Sequence, residues 1–209
     1  AVNPTNVMGT SKRIAEIYCQ SLNDTTTTKF ITTRFGNVLG SNGSVIPLFK
    51  KQLENGGPLT VTHPNVTRYF MTIPEACQLV LEASTIGNGG EIYVFDMGKS
   101  IKIIDLAKKM IQLTGLQLNK DIEIKITGLR PGEKMYEELL SNEENTVPTH
   151  HPKILIGKVK PLKFDPTHQL VIELINLIEN QKNEEIVKQM KLIVPEFVSN
   201  NSEFSKFDN

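Results

Sequence analysis

The alternation of helical and strand-like patterns constrains the fold of this 209-residue chain more than any other feature. Apolar residues recur at helical spacing over residues 4 to about 21, and a β-branched and aromatic run typical of a strand follows at residues 30–35. Ser44 and Thr72 then stand where a side-chain oxygen can cap a helix, and Glu75 completes a capping box with Thr72. Further strand patterns occupy residues 59–62, 68–71, 91–95 and 122–126. This order of elements predicts a mixed α/β fold.

The second half of the chain carries more helical patterns than strand patterns. Ser100 is predicted to cap an amphipathic helix over residues 101–113, and residues 133–140 are predicted to form a short helix. Two longer helical patterns cover residues 165 to about 180 and residues 183–192. The polar tail that follows is predicted to fray from Ser199 onwards.

These patterns suggest two units along the chain. We expect residues 1–160 to form the main unit and residues 161–209 to form a helical extension with a polar tail. The extension carries an apolar stripe that is either a core face or a contact between copies of the chain, formed by Leu170, Val171, Leu174, Ile175 and Ile178.

Charge, hydropathy and cysteine usage exclude several classes of protein. The formal net charge is +0 and the lysines are dispersed, so no nucleic-acid partner is expected. No apolar run reaches the roughly 18 residues that a transmembrane helix needs. Cys19 and Cys77 lie in helical patterns and are predicted to be buried free thiols of a cytoplasmic protein. The adjacent His150 and His151 lack a third ligand, so no metal site is expected.

The glycine pattern does not predict a dinucleotide-binding loop. Gly36, Gly40 and Gly43 follow a strand pattern, but they do not form the GxGxxG sequence that opens a Rossmann helix. They also lack the acidic residue about 20 positions further on that binds the adenosine ribose. We therefore expect no complete dinucleotide site within these residues.

Four sequence blocks, taken together, are similar to one enzyme family. They are N-P-T-N-V-M-G-T-S-K-R at residues 3–13, F-G-N-V-L-G-S at 35–41, T-R-Y-F-M-T at 67–72 and L-R-P-G-E-K-M-Y-E-E-L-L at 129–140. In this order they resemble the UDP-N-acetylglucosamine 4,6-dehydratases of bacterial polysaccharide biosynthesis, which are extended short-chain dehydrogenase/reductases. The resemblance covers about residues 1–158 and is closest to the branch that has methionine in place of the usual tyrosine.

The resemblance implies a fold and a cofactor. It implies the C-terminal, substrate-binding part of an extended, Rossmann-like reductase, with the N-terminal dinucleotide-binding half absent. NAD or NADP would be bound mainly by that absent half, and any membrane anchor would also lie there. Since missing parallel neighbours would leave a sheet edge exposed, we expect a homo-oligomer.

The first block places the catalytic helix at the start of the chain. The resemblance implies that Lys12 binds the nicotinamide ribose and that Met8, four residues earlier and on the same helix face, occupies the tyrosine position. A thioether cannot act as a base, so another group must move the proton. In relatives a Thr/Ser-Asp-Lys triplet just upstream of this helix is the candidate. Without the resemblance, Lys12 would be an ordinary exposed lysine and Met8 a core residue.

The third and fourth blocks imply an anion site. Arginines at the positions of Arg68 and Arg130 meet the substrate diphosphate in relatives, and a planar guanidinium suits that task. Glu133 is expected to meet a ribose hydroxyl or to orient Arg130. The competing interpretation for all three is surface ion pairing, and it weighs most for Arg68. The neighbouring pair Glu137 and Glu138 is interpreted as exposed helix acids.

The remaining site predictions concern the sugar and the base. By resemblance, Asn37 would touch the substrate phosphate or glycosyl oxygen, while Ser44 and Val45 would offer backbone amides and a wall for the uracil. Thr60 lies in a strand that would supply backbone contacts to the base. Arg34 is predicted to be either structural or at the cofactor edge.

Together these features predict part of a nucleotide-sugar dehydratase that converts UDP-N-acetylglucosamine to a 4-keto-6-deoxy sugar. A UDP-sugar 4-epimerase is the main alternative, although Met8 argues for the dehydratase because epimerases normally keep the tyrosine. A non-catalytic UDP-sugar-binding or oligomerisation module is the other alternative. In each case a UDP-sugar is the expected partner or substrate, and the 209-residue chain alone is expected to show no turnover.

Overall fold

A computed structural model of the chain describes residues 2–140, 145–159, 163–179 and 181–208, and it confirms the mixed α/β class. The helices of this described part are α1 (Val7–Leu22), α2 (Val45–Glu54), α3 (Ile73–Ile86), α4 (Ile103–Leu113), α5 (Phe164–Glu179) and α6 (Asn183–Ile193). Its strands are β1 (Thr32–Arg34), β2 (Asn37–Val38), β3 (Leu59–Val61), β4 (Thr67–Arg68), β5 (Phe70–Met71), β6 (Ile92–Phe95), β7 (Ile101–Lys102), β8 (Ile124–Ile126), β9 (Asn145–Pro148) and β10 (Ile154–Lys158).

The main sheet is built around β6. Its strand order is β1-β6-β10-β9, with β1 parallel to β6 and the other two pairings antiparallel. All four residues of β6 are buried, which explains why its sequence is an uninterrupted apolar run rather than an alternating one. Tyr93 at its centre pairs with Thr33 on one side and Ile156 on the other.

Three two-stranded pairings lie outside this sheet, and two of them carry the second and third sequence blocks. Strands β2 and β5 pair in parallel, as do β3 and β8, whereas β4 and β7 are antiparallel. The β4–β7 pairing aligns Arg68 with Ile101. These short pairings hold the second and third blocks in extended conformation next to one another.

Three apolar clusters stabilise the described residues. One joins β6 to α3, and a second packs α2, β3 and α4 around Phe49 and Leu59. The third joins Ile14 and Ile17 of α1 to Leu174 of α5 and to the buried face of α6. The C-terminal helices are therefore packed directly on the helix that begins the chain. The predicted boundary between residues 160 and 161 falls outside the described residues.

The first helix begins later than the sequence predicts, for a clear reason. Asn6 is its N-cap and accepts a hydrogen bond from the Gly9 amide through Oδ1 at 2.8 Å.

The predicted cap of α3 is confirmed, because Thr72 Oγ1 accepts from the Glu75 amide at 3.3 Å. The predicted side-chain cap at Ser44 is wrong, since its Oγ is buried and has no hydrogen-bond partner.

Three other predictions of local structure are wrong. Residues 101–102 form strand β7 instead of helix, because they pair with β4 and the Ile103 amide donates to Val66 O at 3.0 Å. Residues 133–140 are not helical, because the Thr67 amide donates to the Met135 carbonyl at 3.0 Å and ties this segment to β4. The tail after Ser199 is ordered into a 3₁₀-helix, Glu203–Phe207.

Burial is incomplete in the apolar stripe of α5 and at the two cysteines. In α5, Leu174 is buried, but Ile175 and Ile178 are 48% and 52% exposed, so the apolar stripe is only partly used for internal packing. Both cysteines are free thiols, as predicted, but Cys77 is exposed and its predicted burial is wrong. None of the helices in the described part of the chain is long and apolar enough to cross a membrane.

Candidate active site

The R-P-G-E turn meets the N-terminus of α1 at a single peptide group. The Gly132 carbonyl accepts hydrogen bonds from Thr5 Oγ1 at 2.7 Å and from Asn6 Nδ2 at 2.9 Å. Asn6 also caps α1, so one side chain both starts the helix and binds the turn. The Gly132 amide donates to the Asn200 carbonyl at 2.7 Å. The first block, the fourth block and the C-terminal segment are thus joined at Gly132.

Only glycine fits at this junction. Gly132 has a φ of 69°, a region that L-residues with side chains rarely adopt. A Cβ at this position would lie 2.6 Å from Asn6 Cβ and 2.7 Å from Thr5 O, closer than packed atoms allow. The close approach explains why the turn sequence requires glycine immediately before Glu133.

Glu133 organises the turn from within. Its Oε2 accepts a hydrogen bond from the Arg130 amide at 3.0 Å, and the Glu133 amide returns one to the Arg130 carbonyl at 3.0 Å. Its Oε1 accepts from Thr62 Oγ1 at 2.8 Å. These bonds fix the backbone that carries Arg130, while the Arg130 side chain itself is exposed to solvent.

Arg68 lies beside Glu133 in the structure. Its Nη2 is 3.5 Å from Glu133 Oε1, and its Nε is 3.4 Å from Glu137 Oε1. Its Nη1 donates to the Thr67 carbonyl at 2.7 Å and to the Met135 carbonyl at 3.4 Å. The ion-pair distances are longer than those of an ideal charge-assisted bond, so neither carboxylate holds the guanidinium tightly.

Glu137 is not the exposed helix acid that the sequence suggested. Its Oε2 is buried and has no hydrogen-bond partner, although its other oxygen faces Arg68. Burial raises the pKa of this carboxyl, and the charges of Arg68, Lys134 and Lys12 together with the Tyr69 amide offset only part of that rise. A carboxyl of this kind can exchange a proton closer to neutral pH than an exposed glutamate can.

Lys12 and Met8 lie on the open side of α1. Lys12 is exposed, and Met8 is 66% exposed, which is unusual for a methionine with a purely packing role. They are one helical turn apart and so share a face. The positive charge of Lys12 lowers the pKa of the Glu137 carboxyl. This face of α1 therefore interacts electrostatically with the cluster of Arg68, Glu133 and Glu137.

The other predicted substrate contacts lie on neighbouring elements. Asn37 lies in β2, which pairs with β5, and β5 begins two residues after Arg68. The backbone amide of Asn37 donates to the carbonyl of Tyr69, the residue after Arg68, at 3.0 Å. Thr60 is bound by Gln52, which donates to its Oγ1 at 2.7 Å and accepts from its amide at 3.1 Å. The backbone of Thr60 is therefore less free to bind a base than the sequence suggested.

The start of α2 carries the two remaining substrate predictions. Ser44 precedes the first turn, and its buried Oγ without a partner is the group there that could accept or donate a further bond. Val45 is partly buried against the cluster around Phe49, so little of its surface is available as a wall.

Arg34 belongs to a separate buried ion pair. Its Nη2 and Nε lie 2.6 and 2.7 Å from the two carboxylate oxygens of Glu16, and both side chains are at most 5% exposed. Burial raises the pKa of Glu16, but Arg34 and Arg13 outweigh it and bring the pKa below its usual value. This placement favours the structural interpretation of Arg34 over the cofactor edge.

The site also uses residues that sequence reasoning missed. Asn6, Thr62 and Glu137 were absent from the predicted set, as was the carbonyl of Asn200. Asn6 directly precedes a helical pattern, and asparagine is a preferred N-cap residue, so a capping signal is present in the sequence. Glu137 stands four residues after Glu133, but its burial could not be inferred once the segment was predicted to be an exposed helix.

Comparison with known proteins identifies the family. The sequence model described as "Polysaccharide biosynthesis protein" matches residues 1–159. The chain belongs to that family. It is 54% identical over 191 residues to the capsular polysaccharide biosynthesis protein CapD of Staphylococcus aureus, covering 90% of this chain and 31% of CapD. It is 58% identical over 158 residues to the probable polysaccharide biosynthesis protein EpsC of Bacillus subtilis, covering 76% and 26%. The chain thus spans about a third or less of these curated relatives.

Solved structures confirm the extended reductase fold. Pen from Bacillus thuringiensis superposes with a TM-score of 0.65 at 37% identity, covering 75% of this chain and 50% of Pen. A dTDP-glucose 4,6-dehydratase from Bacillus anthracis and a UDP-glucose 4-epimerase from Thermus thermophilus, both with NAD, share the fold at 20% and 19% identity, each with a TM-score of 0.56. They cover 67% and 66% of this chain and 44% and 46% of their own. A nucleotide-sugar dehydratase and an epimerase thus share the fold of this chain.

Proposed function

We propose that this chain forms the catalytic-helix and substrate-binding part of a nucleotide-sugar 4,6-dehydratase acting on UDP-N-acetylglucosamine. One observation carries the proposal: within the R-P-G-E turn, Glu133 binds the Arg130 backbone amide and lies 3.5 Å from Arg68, and the same turn is bonded to the N-terminus of the helix that bears Met8 and Lys12. A loosely paired Arg68, an exposed Arg130 side chain on that turn and Glu133 are groups that suit a diphosphate joined to a ribose.

In this proposal each residue has a defined role. The exposed guanidinium of Arg130 and the loosely paired guanidinium of Arg68 bind the diphosphate. Glu133, which keeps acceptor capacity beyond its bonds to Thr62 and Arg130, accepts from a ribose hydroxyl. Asn37 binds the glycosyl side of the phosphate, and Ser44, whose Oγ has no partner, borders the uracil. Val45 and Thr60 contribute less to the uracil site, because core packing and Gln52 already engage them.

The described residues fit one end of a nicotinamide dinucleotide. Lys12 is exposed on α1 and has three donors for the hydroxyls of the nicotinamide ribose, whereas Arg34 is engaged by Glu16. They offer no GxGxxG turn for the pyrophosphate. When bound, NAD or NADP supplies the hydride acceptor and donor for oxidation at C4 and reduction at C6 of the sugar. The 209-residue chain alone is therefore proposed to bind UDP-sugar without turnover.

Met8 favours the dehydratase over the epimerase. A thioether neither donates nor accepts a proton at neutral pH, so the residue at this position cannot serve as the base. Its 66% exposure leaves an apolar contact at the place where a tyrosine hydroxyl would otherwise stand. We propose that other acid–base groups move the protons at the 4-hydroxyl, C5 and C6. The free thiols of Cys19 and Cys77 support a cytoplasmic site of action.

Binding is the first experiment. Calorimetric titration of the 209-residue chain with UDP and then UDP-N-acetylglucosamine should give saturable binding, lost or greatly weakened in Arg130→Ala. Lys108→Ala is the matched control, because Lys108 is an exposed basic residue of α4 that pairs only with Asp105 among the ion pairs of the described residues. Equal UDP affinity of wild type and Arg130→Ala would show that the diphosphate does not bind at this turn.

Turnover is the second experiment. The protein encoded by the complete gene, supplied with NAD(P), should convert UDP-N-acetylglucosamine to a product that lacks one water, detected by mass spectrometry. Inversion at C4 without a change of mass would support the epimerase instead. Absence of both reactions with every UDP-hexose, combined with intact UDP binding, would leave a non-catalytic binding module.

A further inference from the structure

The residues after α6 return to the candidate active site. This segment, residues 195–208, is called the terminal strap here, and it lies beyond the residues 1–159 that the family model matches. The Val198 amide donates to the Pro4 carbonyl at 3.2 Å, and the Asn200 carbonyl accepts from the Gly132 amide at 2.7 Å. Further along α1, Arg13 Nε donates to Glu196 Oε1 at 2.9 Å. The strap therefore contacts the first block and the R-P-G-E turn at once.

A partly buried ion pair holds the strap in this position. Asp208 accepts from the Ser199 amide at 2.9 Å and is paired with Lys191 of α6. Lys191 in turn donates to the Phe197 carbonyl at 2.8 Å, and Ser205 Oγ donates to the Ser199 carbonyl. Lys191 and Asp208 are 12% and 19% exposed, so the pair is largely shielded from solvent. Lys191 thus binds residue 197, and Asp208 and Ser205 bind residue 199, next to the Asn200 carbonyl that accepts from Gly132.

The geometry points to a positioning role in the proposed nucleotide-sugar site. We propose that the terminal strap, locked by Asp208 and Lys191, fixes the R-P-G-E turn so that Arg130 and Glu133 are preorganised for a UDP diphosphate. This proposal rests on the proposed function. The Gly132 carbonyl is bonded to Thr5 and Asn6 at the start of α1, and the Gly132 amide is bonded to the strap, so the peptide groups on both sides of the Gly132 Cα are held.

Preorganisation matters most for Arg130. Its side chain is long and exposed, so its position depends on the backbone of the turn rather than on packing. Without the Asn200 carbonyl, the Gly132 amide would be a buried donor lacking its partner and the turn could relax. The bound arrangement would then have to be formed when the ligand arrives, and affinity would fall.

The test compares two variants of the same tail. Asp208→Ala removes the lock, whereas Lys206→Ala removes an ion pair with Glu184 in which both side chains are more than half exposed. Both are made in the 209-residue chain, with UDP as the probe. We expect about tenfold weaker UDP binding for Asp208→Ala and less than a twofold change for Lys206→Ala.

Hydrogen exchange separates a positioning role from a merely structural one. The Gly132 amide should exchange about tenfold faster in Asp208→Ala, while amides at the centre of α6 keep their protection. Asp208→Glu, which retains the carboxylate, should restore most of the UDP affinity. If Asp208→Ala unfolds α6, the milder Asp208→Asn is measured in its place, at a temperature where far-ultraviolet dichroism is native.

Each outcome decides a different question. Weaker UDP binding together with faster Gly132 exchange supports the strap proposal. Wild-type UDP binding in the unlocked variants overturns it, whether or not the Gly132 amide is released, and leaves the proposed function standing. Failure of the wild-type chain to bind UDP overturns the proposed function and the strap's role in it together.

Discussion

Two arginine–glutamate clusters of this molecule share the same chemistry and differ in almost everything else. Arg34 and Glu16 are bonded at 2.6 and 2.7 Å, at most 5% exposed, and the pKa of Glu16 lies below its usual value. Arg68 lies 3.4 and 3.5 Å from Glu137 and Glu133, with side chains 16–29% exposed. There the pKa of Glu137 is raised, and one of its oxygens lacks a partner.

The difference separates a structural ion pair from a site prepared for a ligand. Arg34 uses two nitrogens on both oxygens of one carboxylate, which is the strongest arrangement for a guanidinium. Arg68 shares its charge between two carboxylates and bonds neither closely, so an incoming phosphate meets less competition. An incompletely satisfied charge cluster next to solvent is a feature of binding sites rather than of cores.

The largest effect is expected in the structural pair. Glu16→Gln leaves the guanidinium of Arg34 buried without its counter-charge, which should lower the free energy of unfolding by about 3–5 kcal/mol. Chemical denaturation measures it, with Glu54→Gln in an exposed pair with Lys50 as the control. Because the pKa of Glu16 is lowered, its contribution is present above pH 4.5 and is lost as the pH falls through the folded-state pKa. A loss below about 1 kcal/mol would contradict the assignment.

Arg68→Ala should show the opposite profile. UDP affinity should fall by about 2–3 kcal/mol, because charge-assisted bonds to the diphosphate are removed. The free energy of unfolding should change less than in Glu16→Gln, since Arg68 is half-buried and loosely paired. Titration and denaturation of one preparation measure both. If instead Arg68→Ala is strongly destabilised while the remaining folded protein binds UDP normally, Arg68 belongs with Arg34 as a structural residue.

The two clusters also differ in how far the sequence predicted them. Arg68, Arg130 and Glu133 were predicted together because sequence blocks carry them, and the structure places Arg68 and the Arg130 backbone against Glu133. The pairing of Arg34 with Glu16 could not be predicted, because it joins a helix to a strand 18 residues away through tertiary packing. Helical periodicity located α5 and α6 correctly, since their stripes are long.

Local patterns failed where distant backbone partners decide the structure. Residues 133–140 have helix-forming side chains, but the bond from Thr67 to Met135 and the turn at Gly132 prevent a helix. Residues after Ser199 have the composition of a frayed tail, but Asp208 and Lys191 order them. Thr67 is far from Met135 in sequence, and Lys191 lies in α6 rather than in the tail, so the propensity of each segment alone gives the wrong answer.

The smallest effect separates the clusters by pH. The folded-state pKa of Glu137 is raised, so its contribution to stability is fully present below pH 4.5 and is lost as the pH rises through the folded-state pKa. The side chain of Glu137→Gln stays neutral at every pH, so the free energy of unfolding of this variant relative to wild type should increase as the pH rises above 4.5. For Glu16→Gln the same difference should increase as the pH falls below 4.5. Thermal unfolding of both variants between about pH 2 and pH 8 measures the two trends, that of Glu16→Gln below pH 4.5 and that of Glu137→Gln above it. A flat difference for Glu137→Gln would show that its carboxyl is as well stabilised in the ionised form as an exposed one, and would remove the main distinction between the two clusters.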